Sequence, residues 1–273
     1  MSKIVGGFTV SHDPLVFINP QNLDVAPIRQ AYDEIRRRIA ELRASVAIIV
    51  AADHYIVFGP RLLPQIVICG GEITGPVDAL PGIPNQPIPH NENFARRVFD
   101  HILHADFDLA FSNGTGVDHG IGIPAHQCLP ANGSVATVPV YMASGVEPFI
   151  PIRRAYRFGG ALKTAIEEDP GDERVVLLGS GGISHWVGTG EMGKINTEFD
   201  TFVLDAITSG DPDPLLALSD QEIMSRGGNG AMEIRHFLAV MGAMPNARGE
   251  VIEYNPWKGG VTGLGFTHIQ AVV

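Results

Sequence analysis

Cysteine is nearly absent: Cys69 and Cys128 are the only two in 273 residues, too few for the bridged framework of a small secreted domain. Neither belongs to a CxxC pair, so there is no thiolate zinc or redox motif. Cys69 ends an apolar run, and both are expected to be buried small hydrophobes. Positive charge is scarce as well. With 19 Lys and Arg against 30 Asp and Glu the formal charge is -11, a balance that repels phosphate backbones and anionic lipid. Neither nucleic acid nor a membrane is expected as a partner. No uninterrupted apolar stretch approaches the roughly 18 to 20 residues of a membrane span, and Met1-Ser2-Lys3 leads into a run too short for a signal-peptide core. The expected location is the cytoplasm. Nucleotide motifs are missing too: no Walker Lys-Ser/Thr follows a glycine loop, and no GxGxxG opens a helix after the first strand.

What is present is ordinary globular material, 45% hydrophobic and 18% charged, far from the composition of disordered chains. Val5 to Val10 reads as a first strand. Residues 25–43 read as a helix, with Pro27 in its first turn and Ile28, Ala31, Tyr32, Ile35, Ile39 and Leu42 at helical spacing. Val46 to Ala51 is apolar on both sides, the mark of a central strand in a largely parallel sheet. Further strands are expected at Gln65–Cys69, Leu109–Ser112, Val135–Tyr141 and Arg174–Leu178, and helices at 92–104, 151–168, 195–207 and 229–243. The alternation predicts an α/β fold: a single domain over residues 1–273 with a mostly parallel central sheet covered by helices on both faces. Residues 69–90, dense in Gly and Pro, read as a loop.

Four histidines share a position. His12 in "TVSHDPLV", His54 in "VAADHYIVF", His119 in "NGTGVDHGIGIP" and His185 in "GSGGISHW" each come just after an expected strand. In an open α/β sheet the loops beyond the carboxyl ends of the strands converge, so these four imidazoles are expected to meet. Gly179, Gly181 and Gly182 permit positive φ and close approach, which would set His185 at the crevice mouth. Two His and one carboxylate on one face make a non-haem Fe(II) site, and Glu233 in "GGNGAMEIRHF" is the candidate carboxylate. The residues alone do not divide these five between metal binding and acid/base work. His101 and His104 lie three apart on an amphipathic helix and are expected to face solvent. His90, His126, His236 and His268 are expected to be surface or hydrogen-bonded histidines.

The stretches "SHDPLV", "DHY", "DHG", "GSGGISH", "GKINTEFDTFVLDAI" and "NGAMEI" resemble, in order and spacing, the class III extradiol ring-cleaving dioxygenases. That group includes the protocatechuate 4,5-dioxygenase beta chain and 2,3-dihydroxyphenylpropionate 1,2-dioxygenase. The resemblance implies that His12, His54 and Glu233 bind Fe(II) and that His119 and His185 are acid/base residues, with His185 taking a phenolic proton. It implies a small aromatic diol and O2 as substrates, the diol being a carboxylated catechol such as protocatechuate or a gallate derivative. Arg153, Arg154 and Lys258 are basic, but nothing places them at the site. Trp186 stands where relatives commonly carry a polar residue, which implies a more apolar or ring-stacking substrate side. The protocatechuate type pairs its beta chain with a small alpha chain, so a separate alpha subunit and a homo-oligomer are the two arrangements implied. A zinc-dependent hydrolase on the same His/Glu set and a non-catalytic binding protein of this fold are the rival readings.

Overall fold

Val46–Ala51 is buried at every position, and its side chains alternate between two separate cores. Val46, Ile48 and Val50 enter one, Ala47, Ile49 and Ala51 the other. A strand can serve two cores only when helices cover both faces of its sheet, because successive side chains point to opposite sides. The structure, a computed structural model, describes residues 1–18, 21–145 and 147–271.

Among the described residues nine strands form one sheet. They are β1 (Lys3–Val10), β2 (Val46–Ala51), β3 (Ile66–Gly75), β4 (Gln86–Ile88), β5 (Ala110–Gly116), β6 (Ala136–Met142), β7 (Arg174–Ser180), β8 (Gly249–Trp257) and β9 (Thr262–Gln270). The order runs β4-β3-β6-β2-β7-β1-β9-β8, with β5 paired to β3. The middle of the sheet, β6-β2-β7-β1, is parallel throughout, as the sequence predicts. The flanks are mixed: β3 runs antiparallel to β6 and β4 but parallel to β5, and β9 runs antiparallel to β1 and β8. The first two strands are not neighbours, because β7 lies between them.

The helices are α1 (Leu15–Ile18), α2 (Ala26–Glu41), α3 (Glu92–His104), α4 (His119–Cys128), α5 (Ile152–Glu167), α6 (Thr197–Ser209), α7 (Asp213–Leu216), α8 (Asp220–Gly227) and α9 (Ile234–Ala243). α2 and α4 supply one core, and α3, α5, α6 and α9 the other. In α2 the predicted stripe Ile28, Ala31, Tyr32, Ile35 and Ile39 is buried. α5 and α9 touch backbone to backbone: a Cβ on Gly159 would lie 2.0 Å from the Ala239 carbonyl oxygen. Among the described residues no helix is long and apolar enough to cross a membrane.

Two expectations need correction. Residues 69–90 are not all loop, since β3 continues to Gly75 and β4 occupies Gln86–Ile88. β3 can run on because β4 and β5 supply hydrogen-bonding partners for its far half. The helix expected over 229–243 begins as a tight 3-10 turn, Gly230–Glu233, before α9. Cys69 and Cys128 are free and buried, as predicted.

Candidate active site and metal centre

The carboxyl ends of β1, β2 and β7 open onto one cavity of about 500 Å³. His12 follows β1, His54 follows β2, His185 follows β7, and His119 opens α4 after β5. All four line that cavity, and so does Glu233. The parallel register of adjacent strands ends them at one level, so their following loops meet.

The ring centres of His12 and His54 are 5.0 Å apart, those of His12 and His119 5.4 Å, and those of His54 and His119 4.0 Å. Glu233 Oε1 lies 3.4 Å from His12 Nε2 and 3.4 Å from His54 Nε2. Donors bound at about 2.1 Å to one ion sit roughly 3.0 to 3.4 Å apart at bond angles of about 90 to 110°. Each of the two His–Glu233 distances matches that spacing. His12, His54 and His119 also offer ring nitrogens within 4.8 Å of one another. His185 Nε2 is 3.7 Å from Glu233 Oε2.

Behind these side chains lies a second layer. Ser180 donates to the Gly120 carbonyl at 2.6 Å, so its oxygen accepts from His12 Nδ1 at 2.7 Å, which leaves the Nε2 lone pair facing the cavity. His54 Nδ1 donates to Asp118 Oδ2 at 2.8 Å, and His119 Nδ1 to Asp78 Oδ2. The Gly182 N–H donates to Glu233 Oε2 at 2.8 Å, turning Oε1 toward the two histidines. Such outer partners fix ring orientation and ligand basicity.

Charge follows the same plan. Burial would raise Glu233, which is 3% exposed, but His12, His54 and His185 hold its carboxyl well below the usual range. Burial would likewise lower His54, yet Asp118 and Glu233 lift it from 6.5 to about 10. Asp118 itself, against the effect of burial, is held at about 2 by His54. Burial lowers His12 and His185 despite the Glu233 charge.

The glycines of "GSGGISHW" serve close approach, not positive φ, since none of the three adopts it. A Cβ on Gly179 would lie 2.8 Å from the His236 carbonyl oxygen, one on Gly181 2.8 Å from the Glu233 Cβ, and one on Gly182 2.5 Å from the Thr262 Cγ2. The segment thus lets the Glu233 turn settle directly onto the end of β7.

The remaining expectations divide. Trp186 does not line the cavity. It is 5% exposed and packs under Gly228, with Lys194 Nζ 4.5 Å from its ring centre. Its apolar face is spent on that packing, which corrects the ring-stacking role expected of it. Arg153, Arg154 and Lys258 also lie off the cavity wall. His90 and His104 are exposed and His101 partly so, away from the site. His126 bonds the Gly75 carbonyl at 2.9 Å, and His268 stacks on Phe8.

Sequence reasoning missed several residues that hold the site. Asp118 and Ser180 stand inside "DHG" and "GSGGISH", beside the histidines and glycines that carry the pattern. Asp78 lies in the Gly/Pro-rich loop with no motif around it. Buried His236, lowered to about 4 by burial, points Nδ1 at the Ser180 carbonyl at 2.6 Å and is an acceptor at Nε2. Ser144 on the cavity wall therefore donates to it, at 2.7 Å.

The catalytic LigB subunit family of aromatic ring-opening dioxygenases matches residues 6–265. A 2,3-dihydroxyphenylpropionate/2,3-dihydroxicinnamic acid 1,2-dioxygenase of Rhodococcus sp is 26% identical over 283 aligned residues, covering 87% of this chain and 88% of that protein. A gallate dioxygenase of Pseudomonas putida is 30% identical over 160 residues, covering 58% of this chain and 47% of that protein. The fold is shared with an uncharacterized protein of Escherichia coli K12, whose crystal structure superposes with a TM-score of 0.65 at 16% identity over 97% of this chain and 99% of that one. With a match spanning nearly its whole length, the chain belongs to the LigB family of extradiol ring-cleaving dioxygenases, a metal-dependent enzyme family.

Proposed function

We propose that this protein is a non-haem Fe(II) extradiol dioxygenase that opens the ring of a catechol-type diol, both atoms of O2 ending in a ring-opened semialdehyde acid. The observation that carries this reading is the approach of a single Glu233 oxygen to two imidazole Nε2 atoms at 3.4 Å each. His12, His54 and Glu233 are assigned as ligands, a two-histidine, one-carboxylate face that leaves positions for diol and O2. When bound, Fe(II) supplies a template for the two substrates and a path for electrons between them.

The chain's own groups handle the protons. His185 turns Nδ1 toward the Ile183 carbonyl at 3.3 Å, so its Nε2 carries the lone pair. Burial keeps it neutral at cellular pH, and it is the base that accepts a phenolic proton as the diol binds. His119 differs in having a carboxylate behind it. Asp78, lowered by His119 against its own burial, accepts the His119 Nδ1–H and orients the ring with Nε2 toward the cavity. His119 is therefore assigned as the acid that returns a proton during ring opening.

The test is oxygen uptake by anaerobically purified, Fe(II)-loaded protein across a panel of catechols, with the products identified. A semialdehyde acid, one O2 consumed per ring, is expected. A product of a simple catechol cut between its two hydroxyl-bearing carbons, or activity retained without oxygen when Zn(II) replaces Fe(II), overturns the reading.

A further inference from the structure

We propose that the Tyr55 hydroxyl selects the substrate by donating a hydrogen bond to an oxygen acceptor, a carboxylate or a carbonyl, on the diol's ring substituent. The proposal rests on the ring-cleavage reading above and adds a specificity-determining residue to it.

Tyr55 directly follows the assigned ligand His54 in the chain and lines the same cavity. It is 48% exposed, which puts it at the mouth. Its backbone is left-handed, at φ 65°, a conformation that a bulky aromatic residue rarely takes. Such a conformation persists only where the surroundings enforce it, and it gathers at sites that use it. Here the enforcing group is Asp53. Its Oδ1 accepts the N–H groups of Ile56 at 3.1 Å and Val57 at 2.9 Å, and its Oδ2 accepts that of Phe58 at 3.0 Å. This clamp closes the turn around Tyr55 and spends the Asp53 carboxylate on backbone.

Donors elsewhere on the wall are committed. Among the described residues the wall carries three side-chain hydroxyls, those of Tyr55, Ser144 and Thr262. Ser144 gives its proton to His236 Nε2 at 2.7 Å, and Thr262 to the Gly260 carbonyl at 2.9 Å. The Tyr55 hydroxyl has no partner among the described residues. Asn229 is closed on the Val187 backbone, donating to its carbonyl and accepting from its N–H. His12 and His54 turn Nε2 toward Glu233, and His119 and His185 are assigned to the protons of the diol itself. Among the described residues no Lys or Arg lines the cavity. A substituent carboxylate therefore finds no ion pair there, and a phenol, which keeps its proton at neutral pH, is the donor left to it. A substituent at the mouth displaces the solvent around that hydroxyl. An oxygen acceptor takes the solvent's place, whereas an alkyl group leaves the donor unpaired. The carboxylated catechol expected from the sequence is one diol that meets this requirement.

The experiment uses Fe(II)-loaded protein and catechols carrying carboxymethyl, 2-oxopropyl or isobutyl groups, each as the 3- and 4-isomer. The methylene in each group insulates the ring hydroxyls from the substituent's oxygen. Anaerobic calorimetry gives Kd, and oxygen uptake gives kcat and KM. The wild type is expected to bind its best oxygen-bearing catechol on the order of 10-fold or more tighter than the isobutyl analogue at the same ring position. Whether carboxymethyl or 2-oxopropyl binds tighter identifies the acceptor as an anion or a neutral carbonyl. In Tyr55→Phe, with iron content confirmed, that ratio should collapse toward one, chiefly through KM. Tyr55→Gly, whose backbone suits the left-handed turn, should show the same collapse, which separates the side chain from the turn. A ratio kept in either variant, or an isobutyl catechol as the tightest wild-type ligand, overturns the proposal. Calorimetry decides this even without turnover, while absent oxygen consumption with every diol counts against the dioxygenase reading instead.

Discussion

On the inner wall of the cavity His12, His54, His119 and Glu233 are each held from behind by another group, namely Ser180, Asp118, Asp78 and the Gly182 N–H. On the outer wall Val187 is 52% exposed and Met192 is 57% exposed. His12 and His54 come from the ends of central strands, Glu233 from a turn packed onto β7 and His119 from the start of α4, whereas the outer groups come from loops and the β8–β9 hairpin. A metal site needs ligands fixed to within a fraction of an ångström, which strands backed by hydrogen bonds supply. Substrate choice needs only a shape and a few polar contacts, which loops can vary without disturbing that frame.

The largest break in this comparison removes the inner wall's only anionic ligand. Glu233→Ala should empty the site of iron and reduce turnover to background, because two neutral imidazoles hold a divalent ion poorly. Metal analysis of anaerobically purified protein checks this, with His119→Ala beside it. Iron retained in Glu233→Ala but lost in His119→Ala would make the three-imidazole set the ligands.

His185→Ala is next, and it separates chemistry from metal binding. Iron content should stay, while kcat falls on the order of 100-fold or more. Since burial lowers the pKa of His185 below its ordinary 6.5, the base stays unprotonated well into mild acid. The acid limb of the wild-type kcat/KM profile should therefore fall below pH 6.5 and disappear in the variant. Gly230→Ala offers a milder version: its Cβ would lie 2.1 Å from His185 Nε2, so the ring must move, and kcat should drop with iron retained.

Asp118→Asn tests the backing layer itself, and a 10 to 100-fold loss of metal affinity is expected. In the metal-free protein Asp118 is held at about 2 and His54 raised to about 10; these are two views of one ion pair. The Asp118 contribution to stability is present above its unfolded value near 3.8 and lost as pH falls through about 2. That of His54 is present below 6.5 and lost as pH rises through about 10. Metal-free wild type should therefore melt highest between roughly pH 4 and 6.5, with a flatter profile in the variant. Metal loading at pH 7.5 must displace the His54 proton, so about one proton per ion should appear in a weakly buffered titration. No proton release would mean that His54 is not a ligand.

The inner wall was also the legible one. His12, His54 and His185 stand out because apolar runs such as Val46–Ala51 announce themselves and the loops after parallel strands point one way. His119 instead follows β5, which runs against those strands, and reaches the site through the start of α4. Glu233 was found because a carboxylate among Ala231, Met232 and Ile234 is out of place. Less of the backing layer could be read. Asp118 and Ser180 have no periodicity of their own, and Asp78 is brought to His119 by a loop whose path depends on β3 running on to Gly75. The sheet's antiparallel flanks were hidden for a related reason: β8 and β9 carry partly exposed or glycine-interrupted patterns, as in "GEVIEYNPW" and "TGLGFTHIQ". Trp186 misled because a large aromatic beside a site residue reads as pocket when the turn directs it inward under Gly228.

The smallest expected effect lies on the outer wall and sharpens the contrast from the other side. Met192 touches the cavity with a flexible thioether, more than half of it already in water. Truncating a fully enclosed apolar contact by one methylene changes specificity by roughly 10 to 200-fold. A side chain this exposed should contribute far less, so Met192→Ala is expected to raise KM by about 2 to 5-fold. kcat and iron content should not move, because none of the four backing hydrogen bonds passes through residue 192. Val187→Ala should behave alike, since the Asn229 clamp holds the Val187 backbone and not its side chain. A fall in kcat with KM unchanged in either variant would mean that the outer wall also positions the reacting diol, and the division between a fixed inner wall and a tolerant outer one would not hold.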